Sequence, residues 1–316
     1  MMDKTLKIGT RGSKLALWQA NWVKSALEGK DSSLSIELAI IKTKGDKILD
    51  VPLAKVGGKG LFVKEIEDAL LNEKIDLAVH SMKDMPGEIP KGLCIGAIPE
   101  REIPQDVLIS RNKKRLSKLD PGAKIGTSSL RRKAQLLYAR PDLVILPLRG
   151  NLDTRLKKLE TENLDAIILA AAGVKRLGLE NRITEYLDEN IMLPAVGQGA
   201  LCIEIRQHDP EVESIVKKLE HHQTRTIIMG ERAFLNRLEG GCQVPIAAHG
   251  KIEKNIFTIC GLVATIDGRT LIKETLSGPI DSPEIIGVKL AERLVSMGAE
   301  TIMENLKADL NLNYER

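Results

Sequence analysis

One cysteine, one aspartate and a scattered set of arginines carry the chemistry that this sequence offers. Cys242 stands in Leu238-Glu239-Gly240-Gly241-Cys242-Gln243-Val244-Pro245, behind two glycines and three residues before a proline. Such a stretch reads as a tight turn that presents its thiol. Cys94, Cys202 and Cys260 lie in or beside apolar runs, which read as buried strands where a thiol behaves as a small hydrophobe. A presented thiol is available for covalent chemistry. The plain alternative for Cys242 is an unreactive loop cysteine, and no histidine lies close to it in sequence.

The arginines recur at one kind of place. Arg11 lies in Gly9-Thr10-Arg11-Gly12-Ser13, Arg131 and Arg132 follow Gly126-Thr127-Ser128-Ser129, and Arg149 and Arg155 belong to Leu148-Arg149-Gly150-Asn151-Leu152-Asp153-Thr154-Arg155. In each, a β-like run gives way to a helix or loop, and in α/β sheets the carboxyl ends of strands face the ligand crevice. Hydroxyls and free N–H groups at a helix start favour anions, and a guanidinium adds a bidentate partner. Together they imply a ligand with several carboxylates or phosphates; singly, each arginine also reads as a solvated surface charge.

Asp84 leaves a strand in His80-Ser81-Met82-Lys83-Asp84-Met85-Pro86. A carboxylate beside Lys83 and the arginine sites stays ionised, and it could stabilise a developing cation or pass a proton. Its bland alternative is a turn-forming aspartate before Met-Pro. Lys55-Val56-Gly57-Gly58-Lys59-Gly60 resembles a phosphate loop but lacks the spacing and the Ser/Thr that would hold magnesium. A flexible basic loop over a cleft is the better reading of Lys55 and Lys59. His221 and His222 would point to different helix faces, and no carboxylate/histidine set has metal-ligand spacing, so no metal is expected.

The elements that must position these groups alternate. Leu6–Thr10, Ser35–Ile41 and Ile75–His80 read as strands, with helices over Lys14–Leu27 and Leu61–Leu71. A second series runs through strands at Val107–Ile109, Lys124–Gly126, Leu143–Leu148 and Ala166–Leu169, with helices over Leu130–Tyr138 and Leu152–Leu159. Alternation of this kind predicts two α/β units with parallel sheets. Ala200–Ile205 has no following βα partner and is expected to return to the first sheet, giving two crossing connections and a hinge. Gly197-Gln198-Gly199 reads as a turn there. The last third reads as a small α+β domain, with a hairpin at Asp267-Gly268 and one long helix or two short ones over Ser282–Leu306.

Composition narrows the class. The chain has 316 residues, 43% hydrophobic and 28% charged, ordinary for a globular protein of two or three domains. Its longest apolar stretch, Ala166–Val174, is too short to span a bilayer, and the N-terminus carries no signal or transit character. A cytoplasmic protein with no membrane association is expected, and four cysteines without a CxxC pair suit a reducing compartment. A net charge of +4 and 3% aromatic residues give no reason to expect nucleic acid.

Taken together, these segments resemble the porphobilinogen deaminase (hydroxymethylbilane synthase) family over nearly the whole chain. The resemblance is carried by Lys55 to Phe62, Ala78 to Asp84, Gly126 to Arg132, Leu148 to Arg155, Leu193 to Gly199 and Glu239 to Pro245. It implies a transferase that joins four porphobilinogen molecules head to tail, releasing ammonia, to give the linear tetrapyrrole hydroxymethylbilane. It implies a dipyrromethane primer held by Cys242 through a thioether, with Asp84 catalytic. Lys83, Ser129, Arg131 and Arg132 would bind this cofactor; Arg11, Ser13, Thr127, Arg149, Arg155 and Arg176 would bind substrate. Two type II periplasmic-binding-protein-like α/β domains are implied, residues 1–100 with 196–218 and residues 101–195, joined by a double-crossover hinge. A C-terminal α+β domain over 219–316 would carry the cysteine, and the chain would act as a monomer. Two departures stand out: Gly12 replaces a usual Gln, and Arg101-Glu102-Ile103-Pro104-Gln105-Asp106 replaces a more charged hinge block, so salt bridges there are expected to differ. The reading from another class is a two-lobed binding protein for a polycarboxylate.

Overall fold

The computed structural model describes residues 4–47, 60–238 and 244–312, so Lys55, Lys59 and Cys242 lie outside the described residues. These residues form two compact units, one of residues 4–47, 60–102 and 199–225, the other of residues 103–198 and 226–312. The chain passes between units after residues 102, 198 and 225.

The first unit contains β1 (Lys4–Thr10), α1 (Lys14–Lys30), β2 (Leu34–Ile40), α2 (Lys64–Leu71), β3 (Leu77–Ser81) and β4 (Leu93–Ala97). The second begins with β5 (Asp106–Ser110), β6 (Lys124–Gly126), α3 (Leu130–Ala139), β7 (Val144–Leu146), α4 (Leu152–Thr161), β8 (Ala166–Ala170), α5 (Ala171–Arg176) and β9 (Glu185–Tyr186). The first unit then resumes with β10 (Leu201–Arg206) and α6 (Pro210–Val216). Then comes α7 (His222–Arg237), its first turn in the first unit and the rest in the second, which adds β11 (Ile246–Glu253), β12 (Ile256–Ala264), β13 (Leu271–Pro279), α8 (Pro283–Leu294) and α9 (Glu300–Leu312).

Sheet order is β2-β1-β3-β10-β4 in the first unit and β7-β6-β8-β5-β9 in the second. The expectation of parallel sheets needs correction. β10 runs antiparallel to β3 and β4, and β5 runs antiparallel to β8 and β9. The registers supply the reason. Leu201 pairs with Ser81 at the carboxyl end of β3, and Asp106 pairs with Ala170 at the carboxyl end of β8. Each strand that follows a crossing therefore enters at the carboxyl edge of its sheet and can only run backwards. The return of Ala200–Ile205 to the first sheet is as expected. Each of these sheets is mixed, and the second unit adds an antiparallel three-stranded sheet with helices.

The spacing Leu17, Trp18, Asn21, Trp22, Ser25 marks the solvent side of α1 rather than its buried side, with Trp18 and Trp22 exposed. Ala20, Val23 and Leu27 of α1 are sealed against Leu6, Ile8, Val79 and Ile203, and Ser13 accepts the Ala16 N–H to cap this helix. Cys202 is buried as expected, but Cys94 and Cys260 are only half-buried. Cys94 lies on edge strand β4, and Cys260 lies on the face of β12 away from Phe234 and Leu290.

In the C-terminal part β11, β12 and β13 form an antiparallel meander. Gly268 turns its hairpin at φ +71°, and Gly298, at φ +103°, divides the final helical stretch into α8 and α9. Ala247, Leu262 and Ala264 pack against Ala134 of α3 and against Leu193. The sheet of the C-terminal part thus braces the helix that bears Arg131 and Arg132.

Candidate functional site

In the first unit, the candidate residues gather at the carboxyl ends of β1 and β3. Arg11 directly follows β1, with its guanidinium carbon 4.2 Å from the centre of the Phe62 ring. Thr10 donates to the Ala16 carbonyl at 3.2 Å and Ser13 caps α1, so the turn between β1 and α1 is held at both sides. Lys83 and Asp84 lie in a single 3₁₀ turn, Met82–Asp84, immediately after β3. Buried Met82 and Met85 anchor that turn, and the Met82 N–H donates to the Ala200 carbonyl. Asp84 is exposed, and its carboxylate makes no hydrogen bond or ion pair among the described residues.

Behind this turn is a buried set of titratable groups that the sequence reading missed. His80 Nε2 lies 3.2 Å from Glu204 Oε2, both side chains being sealed from solvent. Glu67 on α2 is 7% exposed, and neither its Oε1 nor Glu204 Oε1 finds a hydrogen bond among the described residues. Burial first, then the charges of Glu204 and Asp68, push the Glu67 carboxyl up to about 7, against the opposing pull of Lys64. Gln19, also buried, donates to Ser81 at 3.0 Å and ties α1 to the end of β3.

The second unit holds the rest. The backbone after β6 turns sharply: Thr127 Oγ1 accepts the Ser129 N–H at 3.2 Å, and Ser128 Oγ bonds both backbone groups of Leu148. Ser129 then caps α3 by accepting the Arg132 N–H at 3.4 Å. That cap sets the direction of the first helical turn, and Arg131 and Arg132 point inward against Asp106. Arg132 Nε donates to Asp106 Oδ1 at 2.9 Å and its Nη2 is 2.7 Å from the same oxygen. Arg131 Nη1 donates to the Leu193 carbonyl at 2.7 Å and lies 2.7 Å from Asp106 Oδ2, which accepts no hydrogen bond among the described residues. The Arg131–Asp106 contact is therefore an ion pair rather than an aligned hydrogen bond.

The charges here do not cancel. Both arginines are 6% exposed and Asp106 is 0% exposed, so this trio carries two buried positive charges against one negative. Burial pulls the Arg132 guanidinium below its ordinary value; Asp106 opposes this and the neighbouring Arg131 adds to it. Arg149 is half-buried and likewise lowered by burial. Arg155 Nε donates to the Gly150 carbonyl at 2.8 Å. Arg176 closes α5 and is buried. The structure thus brings Arg131 and Arg132 together, keeps Arg149 and Arg155 on one loop, and places Lys83 beside Asp84.

Asp106 and Glu204 were missed for different reasons. Asp106 ends the Arg101–Asp106 block, which drew attention only as a hinge; the local signal was an aspartate opening an apolar strand. Glu204 interrupts the apolar Leu201–Ile205 run, and a charge inside a strand that buries both faces is itself a signal. Ile103, where the hinge block loses a charge, packs instead against the apolar cluster of Val107 and Leu169.

Among known proteins, residues 6–214 match the family model "Porphobilinogen deaminase, dipyromethane cofactor binding domain", and residues 226–296 match "Porphobilinogen deaminase, C-terminal domain". A curated protein of Pelobacter propionicus named porphobilinogen deaminase is 56% identical over 306 residues, 97% of this chain and 98% of that one. One of the same name from Carboxydothermus hydrogenoformans is 53% identical over 310 residues, 98% of this chain and 100% of that one. Among solved structures, a TRAP periplasmic solute binding protein from Desulfovibrio salexigens aligns at a TM-score of 0.43 and 12% identity, over 70% of this chain and 74% of that one. That last likeness is too loose to argue from.

Proposed function

Because the chain belongs to the porphobilinogen deaminase family, we propose that the arginines at its strand ends bind pyrrole carboxylates and that Asp84 is its catalytic acid/base. The enzyme is a transferase that joins four porphobilinogens head to tail, with loss of ammonia, on a covalently bound dipyrromethane. When bound, that group supplies the pyrrole terminus to which the first substrate is joined.

The observation that carries the residue assignment is the buried trio of Arg131, Arg132 and Asp106, with its surplus positive charge. A buried charge without a partner is costly, and pyrrole acetate and propionate groups supply the missing anion. Planar guanidinium forks suit carboxylates better than ammonium groups do. The donor set therefore fits a dipyrromethane, with Lys83, Ser129, Arg131 and Arg132 as its carboxylate partners. Arg11, Ser13, Thr127, Arg149, Arg155 and Arg176 take substrate carboxylates in this reading, and Lys55 and Lys59 form the loop over the site.

Cys242 holds the dipyrromethane through its sulfur in this reading. Ala247, five residues after Cys242 in the chain, packs with Ala134, three residues beyond Arg131. Asp84, exposed at the end of β3 and without a competing partner among the described residues, accepts the pyrrole N–H. It also stabilises the cation that the substrate becomes on losing ammonia. The reading extends to a monomer acting in the cytoplasm without nucleic acid. No helix among the described residues is long and apolar enough to cross a membrane.

Asp84→Asn tests the central assignment. It should leave the two-pyrrole adduct visible by intact mass while cutting ammonia release by about a hundredfold or more. Near-normal release would refute the role of Asp84, and protein purified without any adduct would refute the tether.

A further inference from the structure

We infer that Asp106 is a positioning residue, which locks the Arg131 and Arg132 guanidiniums side by side in the orientation that receives a carboxylate. This rests on the proposal that these two arginines hold the carboxylates of the dipyrromethane. It adds a residue that never touches that group.

The geometry separates positioning from simple charge balance. Asp106 is the first residue of β5, and its backbone pairs with Ala170 of β8, so its side chain starts from a fixed point on the sheet. Its Oδ1 accepts three contacts: Arg132 Nε at 2.9 Å, Arg132 Nη2 at 2.7 Å and Gln198 Nε2 at 3.1 Å. Its Oδ2 faces Arg131 Nη1 at 2.7 Å. Two adjacent buried guanidiniums repel one another, and one carboxylate wedged between them is the least that holds them together. Neutralising the pair would take a second carboxylate, and none contacts it among the described residues. The trio is electrically complete only with an anion from outside.

Each arginine also has a backbone anchor, Arg132 on the nitrogen away from Asp106 and Arg131 on the nitrogen that faces it. Arg132 Nη1 donates to the Ile168 carbonyl at 2.9 Å, and Arg131 Nη1 to the Leu193 carbonyl at 2.7 Å. Asp106 is held from behind by Gln198, which also donates to the Pro104 carbonyl at 2.6 Å. Gln198 is fully buried between Gly197 and Gly199, both at positive φ. The turn at 197–199 thus sets Gln198, Gln198 steadies Asp106, and Asp106 sets the arginine pair.

The experiment compares Asp106→Asn and Asp106→Glu with the wild-type enzyme. It measures the fraction of folded molecules carrying the adduct by intact mass, then kcat per adduct-bearing molecule, KM for porphobilinogen, and the melting midpoint. Asp106→Glu keeps the charge but moves the carboxylate out by one methylene. It should lower loading or kcat per loaded molecule by about tenfold or more, as an ångström-scale misplacement does, with KM and midpoint little changed. Asp106→Asn should lose at least as much. If Asp106→Glu loads and turns over like wild type, Asp106 is only a counter-charge and the inference is overturned. Normal loading and turnover in Asp106→Asn overturns it as well. Should Asp106→Asn fail to fold, the charge-preserving Glu variant still decides. An Arg131→Leu/Arg132→Leu variant that loads normally would sink the underlying assignment instead, an outcome distinct from either of these.

Discussion

Replacing Glu67 by Gln should flatten the pH dependence of the first unit's stability. Glu67 sits on the inner side of α2 between Ile66 and Leu70, near the fully buried Glu204. Its carboxyl is pushed from 4.5 up to about 7, first by burial and then by the Glu204 charge. At about 1.4 kcal/mol for each tenfold change in proton affinity, ionising Glu67 in the fold costs about 3 kcal/mol. This is a ceiling, because the residue keeps 7% of its surface in water. Between pH 4.5 and about 7 the folded chain holds a proton that the unfolded chain has released, so stability falls as pH rises. Below 4.5 both forms are protonated and the loss disappears. Glutamine resembles the protonated acid at every pH and escapes the loss.

Wild type and Glu67→Gln should therefore melt together near pH 4.5 and separate as pH rises, with the variant ahead by up to about 3 kcal/mol at pH 8. In a unit of this size that is about 10 °C. A chain of several domains need not melt in one step, so the comparison belongs on β3 and β10, where hydrogen exchange reads the first unit directly. Glu204→Gln should recover only part of the gain, since burial, the largest cause, and the Asp68 charge remain. Parallel pH curves for wild type and Glu67→Gln would show that this carboxyl titrates normally and that the reasoning is wrong.

Cys242→Ala should abolish the two-pyrrole adduct in intact mass, whereas Cys94→Ala, Cys202→Ala and Cys260→Ala should retain it; an adduct on Cys242→Ala would move the tether elsewhere. Glu189 lies 3.1 Å from His249 Nδ1 and 2.9 Å from Lys251 Nζ, and these neighbours, His249 first, hold its carboxyl down at about 2. Its stabilising effect should be complete above pH 4.5 and fade as pH falls towards 2, so melts of wild type and Glu189→Gln should converge only in strong acid. Gly287→Ala would place a Cβ 2.2 Å from the Gly230 carbonyl oxygen. Because backbone cannot step aside, α8 must lift off α7, and destabilisation of about 3 kcal/mol or more is expected in urea unfolding; a loss below 1 kcal/mol would mean that the helices separate freely.

The parts of the fold that the sequence made legible are those whose signals are local. The helix over Leu130–Tyr138 and the strand Lys124–Gly126 follow from apolar spacing and from the Thr-Ser-Ser cap between them. The Asp267-Gly268 hairpin and the lone Ala200–Ile205 strand were legible for the same reason. Strand direction was not, because a run such as Asp106–Ser110 reads identically up or down a sheet. Its antiparallel course depends on the edge at which the crossing segment enters, and pattern along the chain does not encode that. β11 escaped notice because its apolar start, Ile246-Ala247-Ala248, is interrupted by His249, Gly250 and Lys251, and glycine inside a run argues against a strand.

The same distinction divides the candidate site. Exposure of Asp84 could be argued from the turn that contains it, and the grouping of Thr127 with Ser129 from three adjacent residues. What could not be argued is why two arginines in sequence at the start of α3 both turn inward. That depends on Asp106, 25 residues before Arg131 in the chain, and the pair meets only because β5 enters its sheet backwards beside β8. Had β5 been parallel, its first residue would lie at the amino edge of the sheet, and the carboxylate would be a strand length away from Arg132. The reversed strand that sequence pattern could not reveal is thus what puts a carboxylate between the guanidiniums. The surplus charge of the second unit is a consequence of topology as much as of composition.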